Sequence, residues 1–187
     1  MPRRDTRSAI IDAAVAVLGR DGPDGFSAAS LAREVGVSKA TLFHHFPSLD
    51  EIPTAAFERM IAGSLAIDMP PDASLADTIE LLGRGSTELV RTRRDFFRAY
   101  FVLMAQAMFD DRLRAQLQAS GDALLGRLRT LIAPKLARGE DAAAFARLIA
   151  IQLDGSAIHR MAFGNEEEAD AAWRLLVELA RLKGRTR

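Results

Sequence analysis

Apolar side chains recur every three or four residues along most of the chain, which is the period of an amphipathic α-helix. The first stripe contains Ile10, Ala14, Val17 and Leu18 and predicts a helix from Thr6 to Gly19. Runs of alternating apolar and polar residues, which would indicate β-strands, are absent. The pattern therefore predicts an all-α fold.

Turn formers and capping residues divide the remaining pattern into eight further helices, nine in all. Three pairs have a spacing that favours a helix start: Ser48 with Glu51, Ser74 with Asp77, and Asn165 with Glu168. Two prolines at 70 and 71 exclude a continuous helix there. An aromatic helix is expected after a charged hinge at 91–95, and a helix rich in leucine after Asp110 and Asp111.

The segment from Ser27 to Phe46 predicts two short helices joined by a tight turn. Ser27 can cap the first helix, and Gly36 can adopt the left-handed conformation that ends it. Ser38 can cap the second helix, in which Leu42 and Phe46 lie four residues apart and point inward. This layout is typical of a helix-turn-helix, although a structural corner of two helices has the same outline.

The other faces of the second helix carry basic, hydroxyl and aromatic residues, a mixture suited to nucleic acid: Lys39, Ala40, Thr41, Phe43, His44 and His45. We expect Lys39 and His44 to reach base edges, and Ala40 and Phe43 to contact thymine methyl groups. Phosphates are expected at Thr41 and His45, and at Ser27 and Ser38, where helix N-termini present backbone N–H groups.

The run from 36 to 52, G-V-S-K-A-T-L-F-H-H-F-P-S-L-D-E-I, resembles the DNA-binding signature of TetR-type transcriptional repressors. The motif covers roughly residues 7 to 60, and the rest fits by length and helical character. Three positions depart from the family pattern. Ala40 replaces its usual glycine, Phe43 a tyrosine whose hydroxyl reaches a phosphate, and Leu49 a lysine that touches the DNA backbone.

The resemblance implies a ligand-responsive regulator, a repressor that a small hydrophobic effector releases from its double-stranded operator. It implies a three-helix DNA-binding domain over residues 1–47 and a larger effector-binding and dimerisation domain over residues 48–187. The last two helices would pack against their copies in a homodimer, where Gly155 would permit close approach. A bacterial cytoplasmic setting is also implied.

Charge gives this interpretation little support. The whole chain has a net charge of zero. Residues 1–47 hold six Lys or Arg against five Asp or Glu, a difference of +1, whereas DNA-binding domains are usually basic. Three of these cations, Arg3, Arg4 and Arg7, lie in an N-terminal arm that we expect to be flexible and to reach a groove. The low charge keeps an alternative open: a helical interaction dimer with weak or lost DNA recognition.

A stripe of aromatic and methionine residues predicts an apolar effector pocket, because such side chains adapt to irregular guests. We expect its lining to be Phe57, Met60, Phe97, Tyr100, Phe101, Met104, Gln152 and His159. Residue by residue, ordinary core is the simpler interpretation. A buried, hydrogen-bonded histidine is the usual state of a residue placed like His159.

Catalytic and membrane functions find no support in the sequence. Cysteine is absent, and two of the three histidines are the adjacent His44 and His45, so the usual metal sites lack ligands. Paired Glu-x-x-His motifs, a phosphate-binding glycine loop and a nucleophile elbow are all missing. No run of 18 apolar residues occurs. We therefore expect no enzyme activity, cofactor, metal or membrane span; a helix-bundle enzyme would require a bound cofactor.

Overall fold

The structure is a computed structural model that describes residues 5–64 and 69–185. Within these residues the regular structure is helical, apart from one isolated bridge between Leu136 and Gly184. The side chains of residues 61–64 lie outside this description. The predicted all-α fold with nine helices is confirmed within these ranges. The helices are α1 (Thr6–Asp21), α2 (Ala28–Val35), α3 (Lys39–His45), α4 (Glu51–Ser64), α5 (Leu75–Thr92), α6 (Arg94–Ala107), α7 (Asp111–Ile132), α8 (Ala142–Ile158) and α9 (Glu166–Lys183).

One of the three proposed capping pairs forms as expected. Ser74 N–H donates to Asp77 at 3.0 Å and Asp77 N–H donates to Ser74 Oγ at 3.1 Å, so both orphan donors at the start of α5 are satisfied. The break before α6 and the start of α7 after Asp110, whose Oδ1 accepts from Leu113 N–H at 3.0 Å, are also confirmed.

The other two capping predictions are wrong. Ser48 Oγ accepts from Asp50 N–H at 3.3 Å, which makes residues 48–50 a turn and delays the start of α4 to Glu51. Asn165 makes no side-chain bond to the first turn of α9. Its amide instead donates to the Glu168 carboxylate at 2.7 Å, so the two side chains satisfy each other rather than the backbone.

The chain forms two compact units that interleave in sequence. The first contains α1 to α4, α6 and the N-terminal part of α7, and the second contains α5, the rest of α7, α8 and α9. The unit that holds the helix-turn-helix therefore extends beyond residue 47. The functional boundary between residues 47 and 48 stays a prediction.

In the first unit, α1 is the central helix. Its inner face packs with α2, α3 and α4 around a small core that includes Ile10, Leu31, Leu42 and Phe46. Its C-terminal end lies against α6 at very short range: a Cβ added to Gly19 would lie 2.1 Å from the Asp95 carbonyl oxygen. Only glycine allows the two backbones to approach this closely.

In the second unit, α9 packs along α5 and its start is held by a buried arginine. Arg160 donates to the carboxylates of Glu166 and Asp170. It lies in a π-helical segment, His159–Phe163, that ends at Gly164 with a left-handed φ of 69°. The acidic start of α9 thus pairs with a specific cation as well as with the helix dipole. None of the described helices is long and apolar enough to cross a bilayer.

Candidate nucleic-acid interface and effector site

The turn between α2 and α3 is built by three residues that the sequence indicated. Ser27 caps α2 by accepting from Ser30 N–H at 3.1 Å, and Ser30 Oγ returns a bond by accepting from Ser27 N–H at 2.9 Å. Gly36 is left-handed, with φ 76° and ψ 34°, and its N–H reaches the Ala32 carbonyl at 3.0 Å. Val37 N–H donates to the same carbonyl at 2.9 Å, which completes the chain reversal.

Helix α3 has one buried side and one side open to solvent. Leu42 and Phe46 are buried in the small core, as predicted. Lys39, Ala40, Phe43 and His44 are exposed, whereas Thr41 and His45 are half-buried. The His44 and His45 rings meet edge to face with centroids 5.3 Å apart. The candidate base-reading side chains therefore share an accessible surface. Leu42 and Phe46 pack into the core on the opposite side of the helix.

The hydroxyl groups expected at phosphates are already engaged in the caps. Ser38 Oγ accepts from Thr41 N–H at 3.0 Å and shares a second bond with Thr41 Oγ1 at 2.9 Å. Because that second bond uses one proton, the pair retains one hydroxyl proton for an outside acceptor. The Ser27 hydroxyl donates to Ser30 Oγ at 3.1 Å, so its proton is spent locally.

The prediction of a flexible N-terminal arm is wrong for Arg7, one of its three arginines. Arg7 lies in the first turn of α1, which Asp5 caps, and its guanidinium carbon is 4.7 Å from the centre of the Phe46 ring. A helical Arg7 packed over an aromatic ring is anchored, although its side chain stays exposed. Arg3 and Arg4 lie outside the described residues.

One further cation of this region, Arg20, forms ion pairs within the protein. Arg20 pairs with Asp21 at 2.8 Å and with Glu34 at 3.1 Å, which ties α1 to α2. Its hydrogen bond lowers the pKa of the Asp21 carboxyl, and the same bond raises the pKa of Arg20. Arg33 and Lys39 are exposed and have no ion pair within the described part of the chain. Sequence reasoning missed the Arg20 bridge, since nothing in the local pattern links Arg20 to Glu34.

Leu49, at the position of the family's lysine, is partly buried against the core of the first unit, as is Phe26. At Leu49 an apolar contact takes the place of a charge that would face DNA. The segment before α4 is thus fixed by packing in this chain.

The aromatic stripe forms a continuous ring cluster within the first unit. Phe57 of α4 stacks on Tyr100 of α6 with centroids 5.5 Å apart and planes 12° apart. Phe101 meets Tyr100 edge-on at 5.3 Å, and Phe97 lies 6.5 Å from Phe101. Phe57, Met60 and Tyr100 are buried, whereas Phe97, Phe101 and Met104 are half-buried. The role of this cluster as an effector pocket stays a prediction.

The two remaining candidates for this pocket, Gln152 and His159, belong to the second unit, and their share in the pocket stays a prediction. Gln152 is half-buried. The expectation of a buried His159 is wrong for the single chain: His159 is exposed and its ring lies 5.1 Å from that of Phe163. The π-helical turn carries Arg160 inward and leaves its neighbour His159 outside. Among the described residues, no three His, Cys, Asp or Glu groups could hold a metal ion.

Known proteins match both the motif and the whole fold. The sequence model of bacterial regulatory proteins of the TetR family matches residues 10–56. The HTH-type transcriptional regulator PksA of Bacillus subtilis is 27% identical over 162 residues, which span 83% of this chain and 78% of PksA.

Solved structures agree along nearly the full length. The multidrug-binding protein EbrR in complex with ethidium is 25% identical, with a TM-score of 0.73 over 94% of this chain and 98% of EbrR. A regulator from Saccharomonospora viridis in complex with choline is 18% identical, with a TM-score of 0.76 over 99% of this chain and all of its own.

These matches and the geometry of α2 and α3 define a transcriptional regulator with a DNA-binding helix-turn-helix. The chain is similar to the TetR family of bacterial regulatory proteins through residues 10–56 and through its fold. Its relatives regulate transcription and are not enzymes, so the expectation that this chain is not an enzyme is confirmed.

Proposed function

We propose that the chain is a homodimeric repressor that reads its operator with α3 and leaves it when a small hydrophobic effector binds. The observation that carries this proposal is the two-sided α3. Leu42 and Phe46 fix the helix on its core, and Lys39, Ala40, Phe43 and His44 form an exposed surface of mixed chemistry. A helix with this surface enters the major groove in proteins of this kind.

An exposed aliphatic face on α8 and α9 supports dimerisation. Ile151 is 63% exposed, Leu175 68% and Leu182 81%. Leu148, Ile151, Gly155 and Ile158 follow the spacing of one helix face on α8, and Leu175 and Leu182 are seven residues apart on α9. Burying this face between two copies would remove the largest aliphatic side chains of both helices from water.

The dimer supplies the mechanism of repression. Two copies of α3 must lie about 34–36 Å apart to enter successive major grooves on one side of DNA. An effector that binds more tightly to a conformation with another spacing would shift the population away from DNA. The ring cluster around Tyr100 supports an apolar effector, since α4 and α6 carry it within the unit that also holds α3. EbrR and the Saccharomonospora regulator, crystallised with ethidium and choline, support a ligand-responsive role.

Base reading is tested by two substitutions on α3. Lys39→Ala should relax the preference at one position of each half-site by about 1–3 kcal/mol, because it removes a donor to guanine acceptors. Thr41→Ala should weaken binding to all sequences alike, because its hydroxyl is expected to contact a phosphate, which carries no sequence information. Both variants are compared with the parent by selection from random DNA. An unchanged selection profile for Lys39→Ala would remove Lys39 from the reading surface.

The effector site is tested by Met104→Trp, which should fill the half-buried edge of the ring cluster. The variant should no longer enhance the fluorescence of the neutral apolar probe N-phenyl-1-naphthylamine and should retain DNA binding. Ethidium, measured without DNA, serves as the cationic comparison probe. Undiminished probe binding by a folded Met104→Trp protein would place the effector elsewhere.

The alternative function is a helical interaction dimer with weak or lost DNA recognition. The engaged Arg20 and the inward packing of Leu49 favour it, since both reduce the charge offered to DNA. Such a protein would dimerise normally and show no salt-dependent binding to any selected sequence.

A further inference from the structure

A groove of about 590 Å³ runs between α5 and α9 within the second unit, and neither the helix-turn-helix residues nor the ring cluster line it. Four residues form its floor: Gly83, Thr87, Trp173 and Val177. Charged side chains from both helices line its rims. The volume falls within the range of about 300–1,000 Å³ that is usual for small-molecule sites.

The floor is aromatic because α5 carries a glycine opposite the indole. A Cβ added to Gly83 would lie 2.9 Å from Cδ2 of Trp173, so the ring lies directly against the α5 backbone. Trp173 is only 6% exposed, and Val177 beside it is buried as well. A glycine inside a helix costs about 1 kcal/mol relative to alanine. Gly83 carries this cost, and the indole that packs against it gives the groove a flat apolar base.

Three of the four carboxylates on the rims already form ion pairs. Glu80 pairs with Arg84 at 3.6 Å, and Glu88 pairs with Arg91 at 2.8 Å. Asp170 accepts from the buried Arg160.

The α9 rim is different. Arg174 and Arg181 are exposed, and no hydrogen bond or ion pair within the described ranges joins either to another residue. Glu178, which lies between them in sequence, is likewise unpaired there. Arg174 and Arg181 are therefore the two groove cations that are open to an added anion.

Buried hydrogen-bond donors without a partner lie near the start of α9. Within the described residues, two buried side-chain nitrogen atoms lack a partner: Nε1 of Trp173 and Nε of Arg160. Trp173 lines the groove, and Arg160 bonds to Asp170, which also lines it. Unpartnered buried donors strengthen the positive potential that an anion meets nearby. The groove therefore offers an aromatic base with two unpaired arginines on its α9 rim.

We propose that this groove binds an aromatic carboxylate, with the ring over the Gly83–Trp173 floor and the carboxylate on Arg174 and Arg181. Guanidinium groups match the geometry of a carboxylate and prefer it to an uncharged acceptor. The site is separate from the ring cluster around Tyr100, so the chain would hold two small-molecule sites of different chemistry.

The test uses Trp173, the only tryptophan of the chain, as its own reporter. A heavy iodine atom quenches indole fluorescence on close contact, and a buried indole is shielded from random collisions. The probes are 4-iodobenzoate and the neutral, similarly shaped 4-iodobenzamide. Saturable quenching by the benzoate, with at least about tenfold weaker quenching by the amide, is the expected result.

The arginine rim is tested with the double variant Arg174→Gln/Arg181→Gln, which should raise the apparent Kd for 4-iodobenzoate by about tenfold or more. Its matched control is Arg127→Gln/Arg129→Gln, which removes the same charge from exposed positions of α7 outside the groove. Circular dichroism confirms that each variant is folded.

Three results would overturn the proposal. Equal quenching by the two probes would exclude carboxylate recognition, and unaltered benzoate binding by the Arg174/Arg181 variant would exclude this rim. Quenching that appears only after dilution to monomers would make the groove part of a contact between two copies.

Discussion

Two exposed surfaces of this chain differ in chemistry and therefore in the partner that each can bind. The α3 surface presents an ammonium, an imidazole and an aromatic ring around Ala40. The α8–α9 face presents aliphatic side chains, with Leu175 and Leu182 each more than two-thirds exposed. Polar groups discriminate between base edges, whereas aliphatic groups stabilise a complex only by leaving water.

Because their chemistries differ, the two surfaces should respond differently to salt and to protein concentration. Association through α3 should weaken steeply with salt, because it displaces counterions from DNA. Association through α8 and α9 should depend on protein concentration and change little with salt, because apolar burial carries no charge. Each prediction below disturbs one surface and asks whether the other responds as its chemistry requires.

The largest effect is expected from Leu175→Glu. A two-fold interface would bury two carboxylates at once, since each residue occurs in both copies. We expect the dimer dissociation constant, measured by sedimentation, to rise by at least about 100-fold. Phe109→Glu is the matched control, because Phe109 is 91% exposed but lies in the α6–α7 turn, outside this face. Dissociation of the Phe109 variant to the same extent would remove α8 and α9 from the interface.

An intermediate effect is expected from Gly19→Ala, which acts on the contact between α1 and α6 in the unit that holds α3. The new Cβ would lie 2.1 Å from the Asp95 carbonyl oxygen, so α1 would have to move away from α6. The free energy of unfolding should fall by about 1–3 kcal/mol in urea titrations followed by circular dichroism. Gly121→Ala, which meets no atom within 4 Å, should leave stability unchanged or raise it slightly. Equal stability of the two variants would contradict the close α1–α6 contact.

The smallest effect is expected from deleting residues 2–4, which removes Arg3 and Arg4. The slope of log K against log salt for DNA binding should decrease by roughly two to four units per dimer. Dimer dissociation should not change. A parental slope would show that these arginines do not contact phosphates, and Arg7, which packs on Phe46, would then be the first cation of this region to consider.

The helix-turn-helix could be predicted from sequence because its determinants are local. Ser27, Gly36 and Ser38 each act within four residues, through a cap or a left-handed turn, and the structure places all three as expected. The inward positions of Leu42 and Phe46 followed from helical spacing alone. For such a segment, the stereochemistry of neighbouring residues is nearly sufficient to predict the structure.

Other features depend on contacts between distant residues and could not be predicted in this way. Glu34 draws Arg20 away from any role at DNA from 14 positions along the chain. The π-helical turn that buries Arg160 and exposes His159 depends on carboxylates of the next helix. The α5–α9 groove likewise requires Gly83 and Trp173 to meet, which no local pattern indicates.

The most direct test of the account is selection of binding sites from random double-stranded DNA by the full-length chain, followed by a salt titration on the enriched sequence. We predict two inverted half-sites with centres 10–10.5 base pairs apart, or a multiple of that distance, and affinity that falls steeply with salt. We also predict loss of this enrichment in the Leu175→Glu variant. Absence of any enriched sequence from a folded, dimeric protein would contradict the account and leave the interaction dimer as the function of this chain.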